Sequence, residues 1–377
     1  MSSSDEVVFV TGANGFVGLA TLIRLLKDGH VVRGAVRTEA KAEAVLAHPE
    51  IRALNRGGQL SFRIVPDITV ADAYDDAVAG ATQAIHIASP LASGKETGDI
   101  PTDQHEAQFV RPAVDGTINL LRAADKSGTV RRVVITSSFV ALAPVEEIKG
   151  ARTRREPIAA GSRDPDPVAV AKGPFNSEFE AYAASKVAAL HATEDWMRYN
   201  SPPFEVVHLY PGFILGRDRG ATSRGDMLSG TNKGVLALLL GRQFGERNPF
   251  AGAVAHVDDV ARAHVMAAMD ERVYGEEGYI ISKPIKWNDA IAAAKKAVPE
   301  AFERRVFLES GSLDTTELEM DTLLTERVFE FELRDFQDIV GEVAAQYMEL
   351  KGREKKDSTP KTRAVKLATR LSVFQTA

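Results

Sequence analysis

Gly12, Gly15 and Gly18 lie in the stretch VVFVTGANGFVG, where a short apolar run (VVFVTG) meets a helical pattern (FVGLATLIRLLKDG). No other feature constrains the fold as strongly. Three glycines at GxxGxxG spacing, directly after a strand and opening a helix, allow a turn without Cβ atoms. Backbone N–H groups and the helix N-terminus can then approach a pyrophosphate. A glycine pattern alone often marks nothing more than a turn. The strand before it, the helix after it and its place near the start of the chain make it a dinucleotide loop.

The rest of the first 210 residues repeats this rhythm. VVRGAVR, LSFRIVPDI, AIHIAS, RRVVITSS and EVVHLYPG read as strands separated by helical segments. They are rich in Val and Ile without alternation, as strands buried on both faces are, and the spacing helices imply a parallel sheet covered on both sides. The fold class expected is therefore α/β: a doubly wound parallel sheet of the Rossmann kind with a smaller, mostly helical C-terminal substrate lobe. Residues 5–212 are read as the dinucleotide-binding domain, with 254–283 rejoining it. Residues 213–253 and 284–352 form the lobe. Residues 353–377 read as a basic tail, partly disordered, whose last dozen residues could also form a short basic amphipathic helix.

The 377 residues contain no cysteine, which excludes disulfides and thiolate chemistry. The formal net charge of −6 argues against nucleic acid as a partner. The longest greasy run, GVLALLLG, is far shorter than the roughly 18 apolar residues of a membrane helix. MSSSDEVVFV has no basic start or long apolar run, so no signal peptide is read there and a cytoplasmic enzyme is the expectation. His256, Asp258, Asp259 and His264 share no metal-ligand spacing; HVDDVARAH reads as a strand end and a capped helix, and no metal is expected.

The second strand ends at Arg37, with Lys41 one helical turn later. NAD-binding folds place an acid about 20 residues beyond the glycine loop. A cation there suits a 2′-phosphate, so NADP(H) is expected rather than NAD(H). Asp67, after the third strand, is placed either to accept from the adenine amino group or to form a turn or cap.

The sequence EAYAASKVAALHATEDW carries Tyr182 and Lys186 at i and i+4, on one helical face. A tyrosine titrates near 10; a nearby ammonium and a positively charged nicotinamide are expected to bring it down toward useful acid–base range. RRVVITSS ends in Ser137 and Ser138 at the carboxyl edge of the sheet, where a hydroxyl can hold a substrate carbonyl.

In this order the pieces TGANGFVG, VRGAVRTEAK, RPAVDGTINLLRAA, VVITSSFVAL, YAASK, LYPGFILG and HVDDVARAH resemble the extended short-chain dehydrogenases/reductases, in particular the dihydroflavonol-reductase-like branch with its fungal carbonyl and aldehyde reductases. The resemblance spans most of residues 5–285. It implies that Tyr182 is the general acid, that Lys186 lowers its pKa and holds the nicotinamide ribose, and that Ser138 orients the carbonyl. It assigns Asn119 to a water-linked proton relay. It also implies that Gly12, Ala13, Asn14, Gly15, Phe16 and Val17, leading into Gly18, wrap the pyrophosphate. Arg37 and Lys41 would take the 2′-phosphate, Asp67 and Ile68 frame adenine, Ala88 line the ribose, Pro211 pack near the nicotinamide, and Ser223 reach in from the lobe.

The activity implied is reversible reduction of a small-molecule aldehyde or ketone by NADPH, in a monomer or homodimer. Two alternatives stay open: a hydroxysteroid or nucleotide-sugar dehydrogenase/epimerase on the same fold, and a regulator that senses NADP(H) without turnover. The sequence departs from the family between Ala143 and Phe179, which is rich in arginine and proline and has no tryptophan. Phe175, Phe179, Phe213, Met227, Leu228 and Phe250 are candidates either for an apolar substrate wall or for ordinary core.

Overall fold

The computed structural model describes residues 6–55, 57–90, 100–164, 166–244, 249–275 and 278–357. The basic segment beyond residue 357, with its possible amphipathic helix, lies outside the described residues.

Six strands come first along the chain: β1 (Val7–Thr11), β2 (Val31–Val36), β3 (Leu60–Ile64), β4 (Gln83–His86), β5 (Arg132–Thr136) and β6 (Glu205–Pro211). β7 (Phe213–Leu215), β8 (Phe250–Ala251), β9 (Ala253–His256), β10 (Tyr279–Ile281), β11 (Lys283–Pro284) and β12 (Thr315–Thr316) follow. The main sheet has the order β10-β6-β5-β4-β1-β2-β3, and each neighbouring pair in it is parallel. The chain runs outward from β1 to β3, then returns to place β4 on the other side of β1. That reversal opens a crevice beyond the carboxyl ends of β1 and β4, where open α/β sheets bind ligands.

β4 is buried throughout, as a two-face-covered strand should be. β3 is the exception to the non-alternating reading: it is an edge strand in which alternate residues, Ser61 and Arg63, turn outward to solvent. One face of the sheet is covered by the first helix, Phe16–Lys27, and the helix Val257–Met269. Leu22, Leu25, Val260 and Ala263 of these helices sit in one buried cluster with Val8, Val10 and Val134 of the strands. The other face packs Leu120, Leu121 and Ala124 of the helix Arg111–Ser127 against Phe9, Val133 and Val206. Each fully buried Leu or Val adds about 1.5–3 kcal/mol.

The strand Tyr279–Ile281 pairs with β6 in the main sheet, whereas β9 belongs to a small second sheet with β7 and β11. The lobe has its own core of Leu236, Trp287, Phe307, Ile339, Val343 and Tyr347. Its last helix runs from Phe336 to Asp357, past Gly352. That helix fastens the loop after β7: Arg217 meets Glu349 at 2.8 Å, Arg224 meets Glu354 at 2.7 Å, and Gln346 donates to the Asp218 carbonyl at 2.6 Å.

The arginines of the segment between Ala143 and Phe179 have a similar fastening use. Arg152 and Arg154 both pair with Glu147, and Arg163 pairs with Glu194 on the helix Glu178–Asn200. Ile158 exchanges backbone hydrogen bonds with Glu319 and Asp321 of the lobe.

Candidate active site

The glycine loop is shaped as its sequence demands. Gly12 has φ +67°, and a Cβ on it would stand 2.8 Å from the Ala88 nitrogen. A Cβ on Gly18 would stand 2.0 Å from the Gly12 carbonyl oxygen, so the helix can begin this close to β1 only without a side chain there. The first helix has no side-chain cap at Gly15 and no acidic residue in its first turn. Asn14 and Gly15 are exposed at its mouth. This uncapped helix end over a cradle closed to Cβ atoms fits a pyrophosphate.

Across the crevice, Thr11 ties β1 to β4. Its Oγ1 accepts from the backbone N–H groups of Ile87 and Ala88, both at 3.1 Å. With its acceptor positions used, its proton goes to His86 Nδ1 at 2.9 Å, which places the His86 proton on Nε2. Burial first, and then the Lys186 charge, drive His86 down to about 3, so it is neutral. Thr11→Val strands two part-buried N–H groups and is expected to lower stability by about 1–3 kcal/mol, while Thr11→Ser costs less; denaturant unfolding of both variants measures it.

Ser138, Tyr182 and Lys186 meet at the ends of β5 and the helix Glu178–Asn200, which Ser177 caps by accepting from the Glu180 N–H. Ser138 is extended and buried, and its Oγ accepts from the Val140 N–H at 3.4 Å. Its side chain also hydrogen-bonds the Tyr182 hydroxyl. Lys186 Nζ lies 5.8 Å from the Tyr182 ring centroid and donates to the Thr136 carbonyl at 3.1 Å.

Burial pushes Tyr182 up to about 12, with the Ser138 hydrogen bond opposing it, and burial lowers Lys186 to about 8. The expectation that Lys186 brings the phenol down is corrected for the protein by itself: desolvation wins, and the phenol keeps its proton at neutral pH. A protonated phenol is what a general acid requires.

Sequence reasoning passed over what holds Lys186 in place. His264, fully buried, donates from Nδ1 to the Val260 carbonyl at 2.7 Å, so its Nε2 accepts from Thr136 Oγ1 at 2.6 Å. Thr136 in turn presents its carbonyl to Lys186. The spacing HVDDVARAH gave no hint of this, because the contact is across the sheet.

The remaining candidates separate into those at the crevice and those elsewhere. Arg37 and Lys41 are exposed just beyond β2, on either side of Thr38, which caps the helix Glu39–Leu46. Asp67 accepts from the N–H and the hydroxyl of Thr69 at 2.8 and 2.7 Å, the turn reading of that residue. These bonds, with a smaller contribution from Arg37, hold its carboxyl below the usual range. Ile68 packs on Gly116, where a Cβ would stand 2.7 Å from its Cδ1. Pro211 is buried at the end of β6, in register with Ile281.

Two of the candidate side chains are engaged by the chain itself. Asn119 donates its amide protons to the carbonyls of Ile68 at 3.0 Å and Val70 at 2.9 Å, so its side chain secures the loop after β3. Ser223 caps the short helix Arg224–Met227: its Oγ accepts from the Asp226 N–H, and the Asp226 carboxylate accepts from the Ser223 N–H in return. Of the aromatic candidates, Phe213 stacks edge-on to Phe139 at 5.9 Å and lies 6.2 Å from the half-exposed Phe250. Met227 and Phe175 are buried core. His256 donates to Glu342 at 2.6 Å and accepts from the Asp258 N–H.

Comparison with known proteins finds the same outline. The NAD dependent epimerase/dehydratase family profile matches residues 8–281. A ketoreductase of Cercospora nicotianae, CTB6, is 34% identical over 360 residues, 92% of this chain and 96% of its own. A putative NADPH-dependent methylglyoxal reductase of Candida albicans is 24% identical over 91% of this chain and 99% of its own. Among solved structures, yeast methylglyoxal/isovaleraldehyde reductase Gre2 complexed with NADPH superposes with a TM-score of 0.76 at 24% identity, over 92% of this chain and 99% of that one. Vestitone reductase from alfalfa does so at 0.66, with 24% identity and the same coverage.

Proposed function

The chain belongs to the NAD dependent epimerase/dehydratase family, within the extended short-chain dehydrogenases/reductases, and from that premise we propose that it reduces an aldehyde or ketone to the alcohol with NADPH. The observation that carries this reading is the convergence of Ser138, Tyr182 and Lys186 beside a crevice whose far wall is the glycine loop. The ketoreductase and methylglyoxal reductase names of its relatives support a carbonyl as the group acted on.

NADPH, when bound, supplies the hydride to the carbonyl carbon. The chain's own residues do the rest. Ser138 donates to the carbonyl oxygen and fixes its place. Tyr182, kept protonated by its burial, transfers its proton to that oxygen as charge develops there. Lys186, an ammonium below about pH 8, stabilises the phenolate left behind. The uncapped helix end takes the pyrophosphate, and Arg37 and Lys41 take the 2′-phosphate.

The test is loss of nicotinamide absorbance with NADPH and NADH side by side, against aldehydes, α-ketoesters, diketones and flavanones. Turnover with NADPH is the expected result. No turnover with any of them, despite tight NADPH binding, favours the sensor reading. Arg37→Ser combined with Lys41→Ala is expected to lower the NADPH-to-NADH ratio of kcat/KM by about tenfold to a hundredfold, the worth of a charge-assisted contact. An unchanged ratio removes both residues from the phosphate site.

A further inference from the structure

His264 is wholly buried on the helix Val257–Met269, in the company of Val260, Ala261, Ala263, Val265 and Ala267. An aliphatic side chain would pack among these neighbours without any hydrogen-bonding demand. An imidazole is tolerated there because both of its nitrogens are satisfied, Nδ1 by the Val260 carbonyl and Nε2 by the Thr136 hydroxyl. Burial lowers it to about 4, so at neutral pH the ring is uncharged and Nε2 remains an acceptor. A polar bond placed in so apolar a layer calls for a purpose.

Thr136 supplies one. It closes β5, and the ladder with β4 ends one residue earlier, at the pair His86–Ile135. Thr136 therefore has a strand neighbour on one side only, Leu209 of β6. A strand end paired on one side leaves its last peptide plane free to tilt. That plane carries the carbonyl to which Lys186 donates. The bond to His264 removes the freedom from another direction. The helix bearing His264 packs on one face of the sheet, in the cluster of the first helix. The helix Glu178–Asn200, which carries Tyr182 and Lys186, sets Trp196 and Met197 against the cluster on the other face. The chain His264–Thr136–Lys186 thus ties the two faces together through the end of β5, two residues before Ser138.

We propose that His264 is a positioning residue for the reduction: by fixing Thr136 it aims the carbonyl that holds the Lys186 ammonium beside Tyr182. The assignment rests on the reductase reading. Its pH signature can be isolated. The titratable groups that face Lys186 are Tyr182 on its own helix, His86 from β4, His208 from β6 and, behind Thr136, His264. The helix Arg111–Ser127 brings only Ala113 and Thr117 to the cavity beside Lys186. Burial takes His86 and His208 to about 3 and His264 to about 4, and holds Tyr182 at about 12. Among these groups only Lys186, at about 8, changes charge in the slightly alkaline range. A carbonyl that drifts from Lys186 withdraws more support from the ammonium than from the amine, so the titration of Lys186 moves down.

Thr136→Val tests this, because it removes the hydroxyl and keeps both the carbonyl and the branched shape; Thr136→Ser keeps the hydroxyl. With saturating NADPH and a carbonyl compound that the wild type reduces, Thr136→Val is expected to lose about tenfold in kcat with KM within about twofold. The alkaline limb of its kcat profile should fall about one pH unit lower, and Thr136→Ser should restore both rate and limb. Nitrogen-15 NMR of labelled lysine, which needs no turnover, should show Lys186 titrating lower by the same amount in Thr136→Val. If Thr136→Val is too unstable to purify, His264→Leu, set among apolar neighbours, carries the same expectations. An unmoved Lys186 titration overturns the proposal even where kcat falls, since a merely structural role would lower the rate alone. Thr136→Ser as impaired as Thr136→Val overturns it too. A wild type that reduces no carbonyl compound removes the reductase reading, while the lysine titration still decides whether His264 governs Lys186.

Discussion

Tyr182→Phe is expected to lower kcat about a thousandfold while leaving the Kd for NADPH within about twofold of wild type. The argument starts from what the substitution leaves alone. The Tyr182 ring packs partly buried against two hydrophobic clusters, beside Phe139 and Ala183 on one side and Phe109 and Ala181 on the other. Phenylalanine fills that space equally well. The hydroxyl, by contrast, is the group bonded to Ser138, and its proton is the one that burial retains at neutral pH. Removing it takes away the acid and leaves Ser138 to polarise the carbonyl unaided. Steady-state turnover and a fluorescence titration with NADPH separate the two effects. A large loss of NADPH affinity would instead make Tyr182 a structural part of the cofactor site.

The parts of this site that could be read from sequence are those whose chemistry is local. Gly12 and Gly18 are demanded by contacts within one strand–turn–helix unit, so their spacing carries the whole message. Tyr182 and Lys186 share a helical face, which periodicity alone places together. Asn119 shows the limit. Its position in RPAVDGTINLLRAA suggests a relay, yet its amide is captured by the loop after β3, a partner 49 and 51 residues away.

The same limit hid Thr136 and His264. Each is an ordinary strand or helix residue in sequence, and each gains meaning from side chains brought across the sheet. The raised Tyr182 pKa was not legible either, because spacing shows the neighbouring ammonium but not the depth of burial that outweighs it. The departure between Ala143 and Phe179 was seen as compositional; its arginines prove to pair with Glu147 and Glu194 and hold the segment against its neighbours.

Lys186→Met is expected to reduce kcat by a hundredfold or more and, in the absence of NADPH, to make the protein more stable at pH 7. The two effects have one cause. Lys186 is 6% exposed, and burial lowers it from its ordinary 10.5 to about 8. Below pH 8 both the folded and the unfolded chain carry the proton, and the folded chain bears the cost of a desolvated ammonium. Between about pH 8 and 10.5 the folded chain has released the proton while the unfolded chain keeps it, so wild-type stability rises with pH through that window. Above it the penalty is gone. Methionine keeps most of the volume without the charge, at the loss of one hydrogen bond to the Thr136 carbonyl. The net gain at pH 7 is therefore on the order of 1–3 kcal/mol, shrinking toward zero as pH approaches 10.5. Denaturant unfolding of the two proteins at pH 7 and pH 10 measures it. A variant less stable than wild type at pH 7 would mean that the bonds of the ammonium outweigh its burial. A more stable, inactive variant would show that the fold tolerates a destabilising charge for the sake of the phenolate it must stabilise.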